Sequence, residues 1–141
     1  RAVTDFNADI IEQFRTGSDP QVGPFPRSRL VVLHTVGARS GAERATPLMS
    51  FPDGDGGRFI VASKAGAPEH PAWFHNLLAQ PAVSIEADAG AGVETIAVTA
   101  RVLEPADRDR VYAEITAVAP GFGDYERKTD RVIPIVRLSP R

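Results

Sequence analysis

RLVVLHTVGARSGAERATPLMSFPDGDGGRFIVAS, residues 29–63, decides the fold. Residues 29–36 are β-branched and apolar on both faces, the composition of a strand buried on two sides. GARSG at 37–41 breaks that run with a turn, and residues 44–51 resume an extended pattern, so the two segments pair. PDGDGG at 52–57 is a strong hairpin signal, and residues 58–63 follow as a third strand. Strands joined by turns this short run antiparallel.

Downstream, KAGAPEHP at 64–71 interrupts the strands, and Pro71 suits the first turn of a helix through AWFHNLLAQ that stops before Pro81. Residues 82–88 and 94–104 alternate like a hairpin around a Gly/Ala turn, Pro105 opens a charged helix to about Val118, and a last strand covers 131–138. Upstream, Phe6, Ile10, Ile11 and Phe14 recur at helical spacing behind an N-cap at Thr4 or Asp5. Residues 17–28, GSDPQVGPFPRS, read as an extended linker or lid. The expectation is a mainly β (α+β) domain: about six antiparallel strands in a small barrel with flanking helices. Residues 1–28 form an N-terminal helix and linker, and residues 29–141 form the barrel.

Composition narrows the function. The 141 residues make one domain with a sizeable core. A net charge of −2 argues against a nucleic-acid partner, which needs a strong basic excess. No apolar run reaches the roughly 20 residues that span a bilayer, so no stable membrane insertion is expected. The absence of cysteine excludes disulfides, thiolate chemistry and cysteine-ligated zinc, and fits a reducing, cytoplasmic setting. The chain opens at Arg1 rather than at Met, which points to residues upstream.

Three clusters can carry chemistry. In Ser63–Leu77, a glycine-containing loop, a hydroxyl, Lys64 and a helix N-terminus can together hold a phosphate, with Trp73 walling off a flat ring. An ordinary strand–loop–helix connection with Trp73 in the core and Lys64 solvated reads equally well. In residues 37–44, Arg39 and Arg44 can pair with phosphate or carboxylate groups. The residues alone favour a plainer account, an exposed turn with Glu43 neutralising one arginine. Residues 120–129 read as a pocket rim in which Tyr125 either donates a proton to substrate or merely anchors a loop. No metal set is expected. DGDGG at 53–57 lacks the distal glutamate of a calcium loop, and His34 reads as a packed or edge histidine. No dinucleotide fingerprint or serine-hydrolase elbow occurs.

Four stretches together resemble the deazaflavin-dependent nitroreductase family of actinobacterial split-barrel oxidoreductases. They are Phe6-Asn7 with Ile11-Glu12-Gln13-Phe14-Arg15; Gly37, Ser40-Gly41, Arg44 and Pro47-Leu48; Ser63-Lys64, Gly66, Pro68 and His70-Pro71-Ala72-Trp73-Phe74-His75-Asn76-Leu77; and Tyr125-Glu126-Arg127-Lys128-Thr129 with Arg131-Val132-Ile133-Pro134. The resemblance covers nearly the whole chain and is most specific in the third block. It implies a split β-barrel related to FMN-binding barrels, and reduced coenzyme F420 as cofactor. By that resemblance Arg39, Ser40, Arg44, Pro47, Ala62, Ser63, Lys64, Ala65, Gly66, His70, Pro71, Trp73 and Asn76 bind the cofactor, and Tyr125 closes over substrate as the catalytic residue. Phe74 stands where relatives often carry Tyr, Ala65 where Gly is frequent, and Gln80 where Asn is usual.

The implied activity is hydride transfer from reduced deazaflavin to a small electron-poor acceptor: an activated alkene, a quinone or a nitroaromatic, with Tyr125 or solvent as proton source. Two alternatives remain open at this point, an FMN-binding reductase and a non-catalytic cofactor carrier. The partner is a small molecule, and barrels of this type often form homodimers.

Overall fold

The computed structural model of the protein describes residues 3–141, with side chains from Phe6 onward. Among the described residues eight strands occur in chain order: β1 Gln21–Val22, β2 Phe25–Pro26, β3 Leu30–Val36, β4 Glu43–Pro52, β5 Arg58–Val61, β6 Ala82–Asp88, β7 Val93–Val102 and β8 Ile135–Pro140. The helices are α1 Val3–Thr16, α2 Ala72–Ala79, α3 Pro105–Val118 and α4 Gly121–Arg127. Six strands close into a barrel in the order β3-β4-β5-β8-β7-β6, every pairing antiparallel. Closure leaves no edge strand in the barrel.

Register decides which residues face inward. Val31 pairs with Leu48, Leu33 with Thr46 and Thr35 with Arg44. Val31 and Leu33 belong to the interior cluster with Ile60, Ile85, Val98, Val136 and Leu138. The same face of β3 and β4 therefore runs out of the core through Thr35 to Arg44, at one mouth of the barrel. That mouth is stoppered by α2, which inserts Trp73, Phe74 and Leu77 into the interior cluster. A helix of eight residues is marginal on its own. Burying those three side chains stabilises it by about 2 kcal/mol each.

A second cluster packs Val111, Tyr112 and Ile115 of α3 over the outer face of the barrel at Phe51, Phe59 and Ile135. A third packs Ile10 and Phe14 of α1, with Val22, over Leu30 and Val32. Helix α1 begins at Val3, ahead of the cap expected at Thr4 or Asp5, whose side chains lie outside the described residues.

Several expectations need correction. Residues 17–28 are not a plain extended linker: β1 and β2 form a miniature hairpin, fastened by Arg27, which donates to the carbonyls of Asp19, Phe14 and Gln13. The third strand ends at Val61 and the last begins at Ile135, four residues later than expected. Residues 131–134 are not strand, although the Pro134 carbonyl still accepts from the Ala62 N–H at 2.9 Å, and the Arg131 side chain bonds to the loop that follows β5. Residues 121–127 form a helix, α4, where only a glycine-containing stretch was expected: Phe122 packs edge-on against Phe51, and its carbonyl accepts from the Tyr112 hydroxyl at 2.7 Å. Burial pushes the Tyr112 phenol up to about 12, so that donor keeps its proton. The 53–57 segment is a turn in which Asp53 Oδ1 accepts from the N–H groups of Asp55 and Gly57.

Candidate functional site

Residues 37–42 form the turn between β3 and β4, directly beside α2, and Arg44 follows it at the start of β4. One side chain sets their relation. Asn76, buried on α2, accepts from the Ala38 N–H at 2.9 Å through Oδ1 and donates to Thr35 Oγ1 at 3.2 Å through Nδ2. Between turn and helix lies a cleft of about 530 Å³ lined by Ala38, Arg39, Ser40, Arg44, His75 and Asn76, with Ala72 at its edge. Ala72 is the first residue of α2, so the partial positive charge of the helix N-terminus lies at the cleft.

Arg39 and Arg44 are exposed, and among the described residues neither forms an ion pair with a carboxylate. The neutralisation by Glu43 considered above is therefore not formed. A larger groove of about 740 Å³ shares Arg44 but contains Arg15, His34 and Glu86, which satisfy one another. Glu86 Oε2 lies 2.6 Å from His34 Nε2, and Arg15 grips the same carboxylate through Nε and Nη2. His34 is thus part of a polar tie between α1 and the barrel.

The second half of the candidate site is the loop leading into α2. Ala62 and Ser63 are buried, and Ser63 is right-handed helical. Lys64 and Ala65 then adopt φ of +45° and +54°, uncommon for residues other than glycine. Each such residue costs about 1 kcal/mol or more and persists only where surrounding contacts over-determine it. A right-handed residue followed by left-handed ones turns successive N–H groups toward one concavity, the backbone arrangement that receives anions. Lys64 Nζ lies 2.7 Å from Glu69 Oε1 in an exposed pair, and that contact holds the Glu69 carboxyl below its usual range.

The loop is held from behind. Gly66 has φ of +85°, and a Cβ there would sit 2.9 Å from both the Tyr125 carbonyl and Lys128 Cβ, so α4 rests directly on it. Tyr125 is half-buried, edge-on to Phe122 and beneath the Lys128 ammonium. Its hydroxyl bonds to no group of the chain among the described residues. Arg131 reaches into the loop through four contacts, to the carbonyls of Ala62, Ser63 and Ala67 and to His70 Nδ1. Burial first, then Arg131 and His75, hold the His70 imidazole below its ordinary range, favouring the neutral ring.

The expected residues therefore fall into two groups on either side of the start of α2. Arg39, Ser40, Arg44 and Asn76 share the cleft. Ala62, Ser63, Lys64, Ala65, Gly66 and His70 make the loop, with Tyr125 behind it, and Lys64 does not line the cleft. Pro71 and Trp73 are buried beneath both, Trp73 in the barrel interior. Pro47 is buried on β4 opposite Val32, on the strand face away from that interior. Thr35 and Arg131 were missed as contributors. Arg131 lay inside a quoted block, but nothing in its neighbours signals a target more than sixty residues away.

Residues 9–140 match the family model for F420H(2)-dependent quinone reductase. An F420H(2)-dependent quinone reductase of Mycobacterium tuberculosis strain H37Rv is 39% identical over 116 residues, covering 79% of this chain and 73% of that one. A solved F420-H2 dependent reductase (FDR-A) superposes with a TM-score of 0.67 at 36% identity, over 79% of this chain and 94% of that one. A structure described as a domain-swapped dimer aligns with a TM-score of 0.69 at 33% identity, over 98% of this chain and 100% of that one. The heme storage protein HutZ of Vibrio cholerae shares the fold alone, with a TM-score of 0.60 at 17% identity over 93% and 87% of the two chains.

Proposed function

The chain belongs to the F420H(2)-dependent quinone reductase family and is an F420-dependent oxidoreductase acting on quinones; from that premise we propose which of its residues hold the cofactor and which serve the acceptor. The observation that carries the assignment of residues is the pair of guanidinium groups, Arg39 and Arg44, that face a cleft at the start of α2 with no carboxylate partner among the described residues. A deazaflavin coenzyme carries a flat ring, a phosphate and an anionic oligoglutamate arm. The chain offers matching donors: the Ser63–Ala65 backbone concavity with Lys64 for the phosphate, and Arg39, Ser40 and Arg44 for the arm.

Bound F420H2 supplies the hydride, because carbon in place of the flavin N5 makes the ring a two-electron carrier. The residues of this chain bind and orient. Lys64 exchanges an exposed carboxylate partner for a phosphate at little expense, since solvent screens a surface ion pair and offsets most of its attraction. Asn76 keeps the arginine turn against α2, and the buried Pro71 and Trp73 keep α2 in place, so the donors are positioned before the ligand arrives. Ala65 and His70 would flank the ring, the buried Ala62 and Gly66 fix the loop that carries them, and Pro47 supports β4 beneath the turn. Tyr125, whose hydroxyl has no partner among the described residues, donates a hydrogen bond or proton to the acceptor oxygen.

FMN has a phosphate but no long anionic arm, so the unpaired Arg39 and Arg44 favour F420. Nitroaromatics and activated alkenes belong to the same acceptor class as quinones. No helix among the described residues is long and apolar enough to cross a membrane. The reading places the enzyme in the cytoplasm and allows a homodimer, as in the domain-swapped relative. The test is to follow F420H2 absorbance with purified protein and quinone or nitroaromatic acceptors. Oxidation in proportion to enzyme concentration is expected, whereas tight binding without accelerated oxidation identifies a carrier instead.

A further inference from the structure

Arg131 stands between α4 and β8, beside the end of the paired strand β5, and bonds to the loop that runs from β5 to α2. Its Nε donates to the Ala67 carbonyl at 2.9 Å and its Nη2 to the Ser63 carbonyl at 2.8 Å. Its Nη1 donates to the Ala62 carbonyl at 3.1 Å and lies 2.8 Å from His70 Nδ1. Four of the roughly five N–H donors of a guanidinium are thereby engaged on one nine-residue stretch. Among the described residues Arg131 forms no ion pair, so the contacts are directional rather than charge-neutralising.

Two consequences follow. The three carbonyls bracket Lys64 and Ala65, the two residues with positive φ, so the guanidinium supplies the external constraint that such a conformation requires. A guanidinium has no lone pair to offer and does not lose its proton, so His70 Nδ1 must be the acceptor. The ring proton then sits on Nε2, and His70 is left with one polar function, an Nε2–H donor.

We propose that Arg131 is a positioning residue for the cofactor: its guanidinium holds the 62–67 backbone in the anion-receiving conformation and fixes His70 as the Nε2–H tautomer beside it. The cofactor half of this inference rests on the F420 reading above, while the loop and tautomer half does not. Lysine cannot substitute, because one ammonium carries the charge but cannot reach three divergent carbonyls and a ring nitrogen at once.

Arg131→Met and Arg131→Lys, each checked for wild-type circular dichroism, test it. Both are expected to raise the F420 Kd and KM by at least tenfold, with kcat at saturating cofactor changed by less than about threefold, the signature of lost uniform binding. Nitrogen-15 NMR of the cofactor-free wild type is expected to show His70 with a bare Nδ1 and a protonated Nε2, and both variants to show a mixture of tautomers. Full recovery by Arg131→Lys, or unchanged F420 affinity in Arg131→Met, overturns the inference. So does a protonated Nδ1 in the wild type. Wild-type protein that binds no F420 but shows the expected His70 spectrum overturns the cofactor half with the F420 reading and leaves the loop clamp standing.

Discussion

Replacing Asn76 by alanine separates the architecture of the cleft from its charge. The side chain is 8% exposed and makes two hydrogen bonds that join α2 to β3 and its turn. The Ala38 N–H can regain water because Ala38 is exposed, so its loss costs at the low end, about 0.5–1 kcal/mol. Thr35 is 3% exposed and cannot, so the loss of its partner costs about 1–2 kcal/mol. The space vacated by the amide adds about 1 kcal/mol. A total near 3 kcal/mol lowers Tm by about 10 °C for a domain of this size. Thermal melting by circular dichroism reads that shift, and fluorescence titration reads F420 affinity, which falls at least about tenfold as the arginine turn loses its anchor. Asn76→Asp is the control: its carboxylate accepts from both Ala38 N–H and the Thr35 hydroxyl, so Tm recovers in part. Its charge beside Arg39 and Arg44 still weakens F420 binding. An Asn76→Ala protein that melts about 10 °C lower yet binds F420 as tightly as wild type would refute the idea that this turn forms part of the site.

Gly66→Ala forces φ of +85° on a residue with a Cβ and drives that Cβ to 2.9 Å from the Tyr125 carbonyl; stability falls by about 1–3 kcal/mol, measured by urea unfolding, and the F420 KM rises. Tyr125→Phe lowers kcat for quinone reduction about tenfold or more with the F420 KM unchanged, and an unchanged kcat assigns the proton to solvent. Hydrogen bonds from Arg15 hold the Glu86 carboxyl below its ordinary value, with His34 adding to the effect and burial opposing it. A folded-state value below the unfolded one gives stability that is complete above about pH 4.5 and lost as the pH falls through the folded value. Glu86→Gln therefore costs about 1 kcal/mol at pH 7 and progressively less on acidification, so its melting temperature approaches that of the wild type as the pH falls through the folded Glu86 value.

The barrel was legible because its strands announce themselves locally. β-branched residues at 29–36, the Asp-Gly turn at 52–57 and the alternation at 82–102 each specify a strand or a turn from neighbours in sequence. Helix α4 was not legible, because PGFGDYER contains two glycines and a low helix propensity. Its helicity is imposed by Phe122 packing on Phe51 and by the Tyr112 hydroxyl, both contributed by distant segments. The same reason hid the hairpin at 21–26, whose two prolines and one glycine read as linker until Arg27 is seen to tie three carbonyls together. At the site, residue types and loop position were readable, but the partnerships that decide them were not. Nothing in GARSGAER says that Glu43 leaves both arginines unpaired, and nothing in TDRVIP says that Arg131 serves the loop before α2.

Parallel fluorescence titrations of the purified protein with F420 and with FMN test the central claim most directly. If Arg39, Arg44 and the Lys64 loop together receive an anionic arm as well as a phosphate, F420 binds far more tightly than FMN. Its affinity then falls as salt is added. Nanomolar FMN binding with no detectable F420 binding would contradict the account.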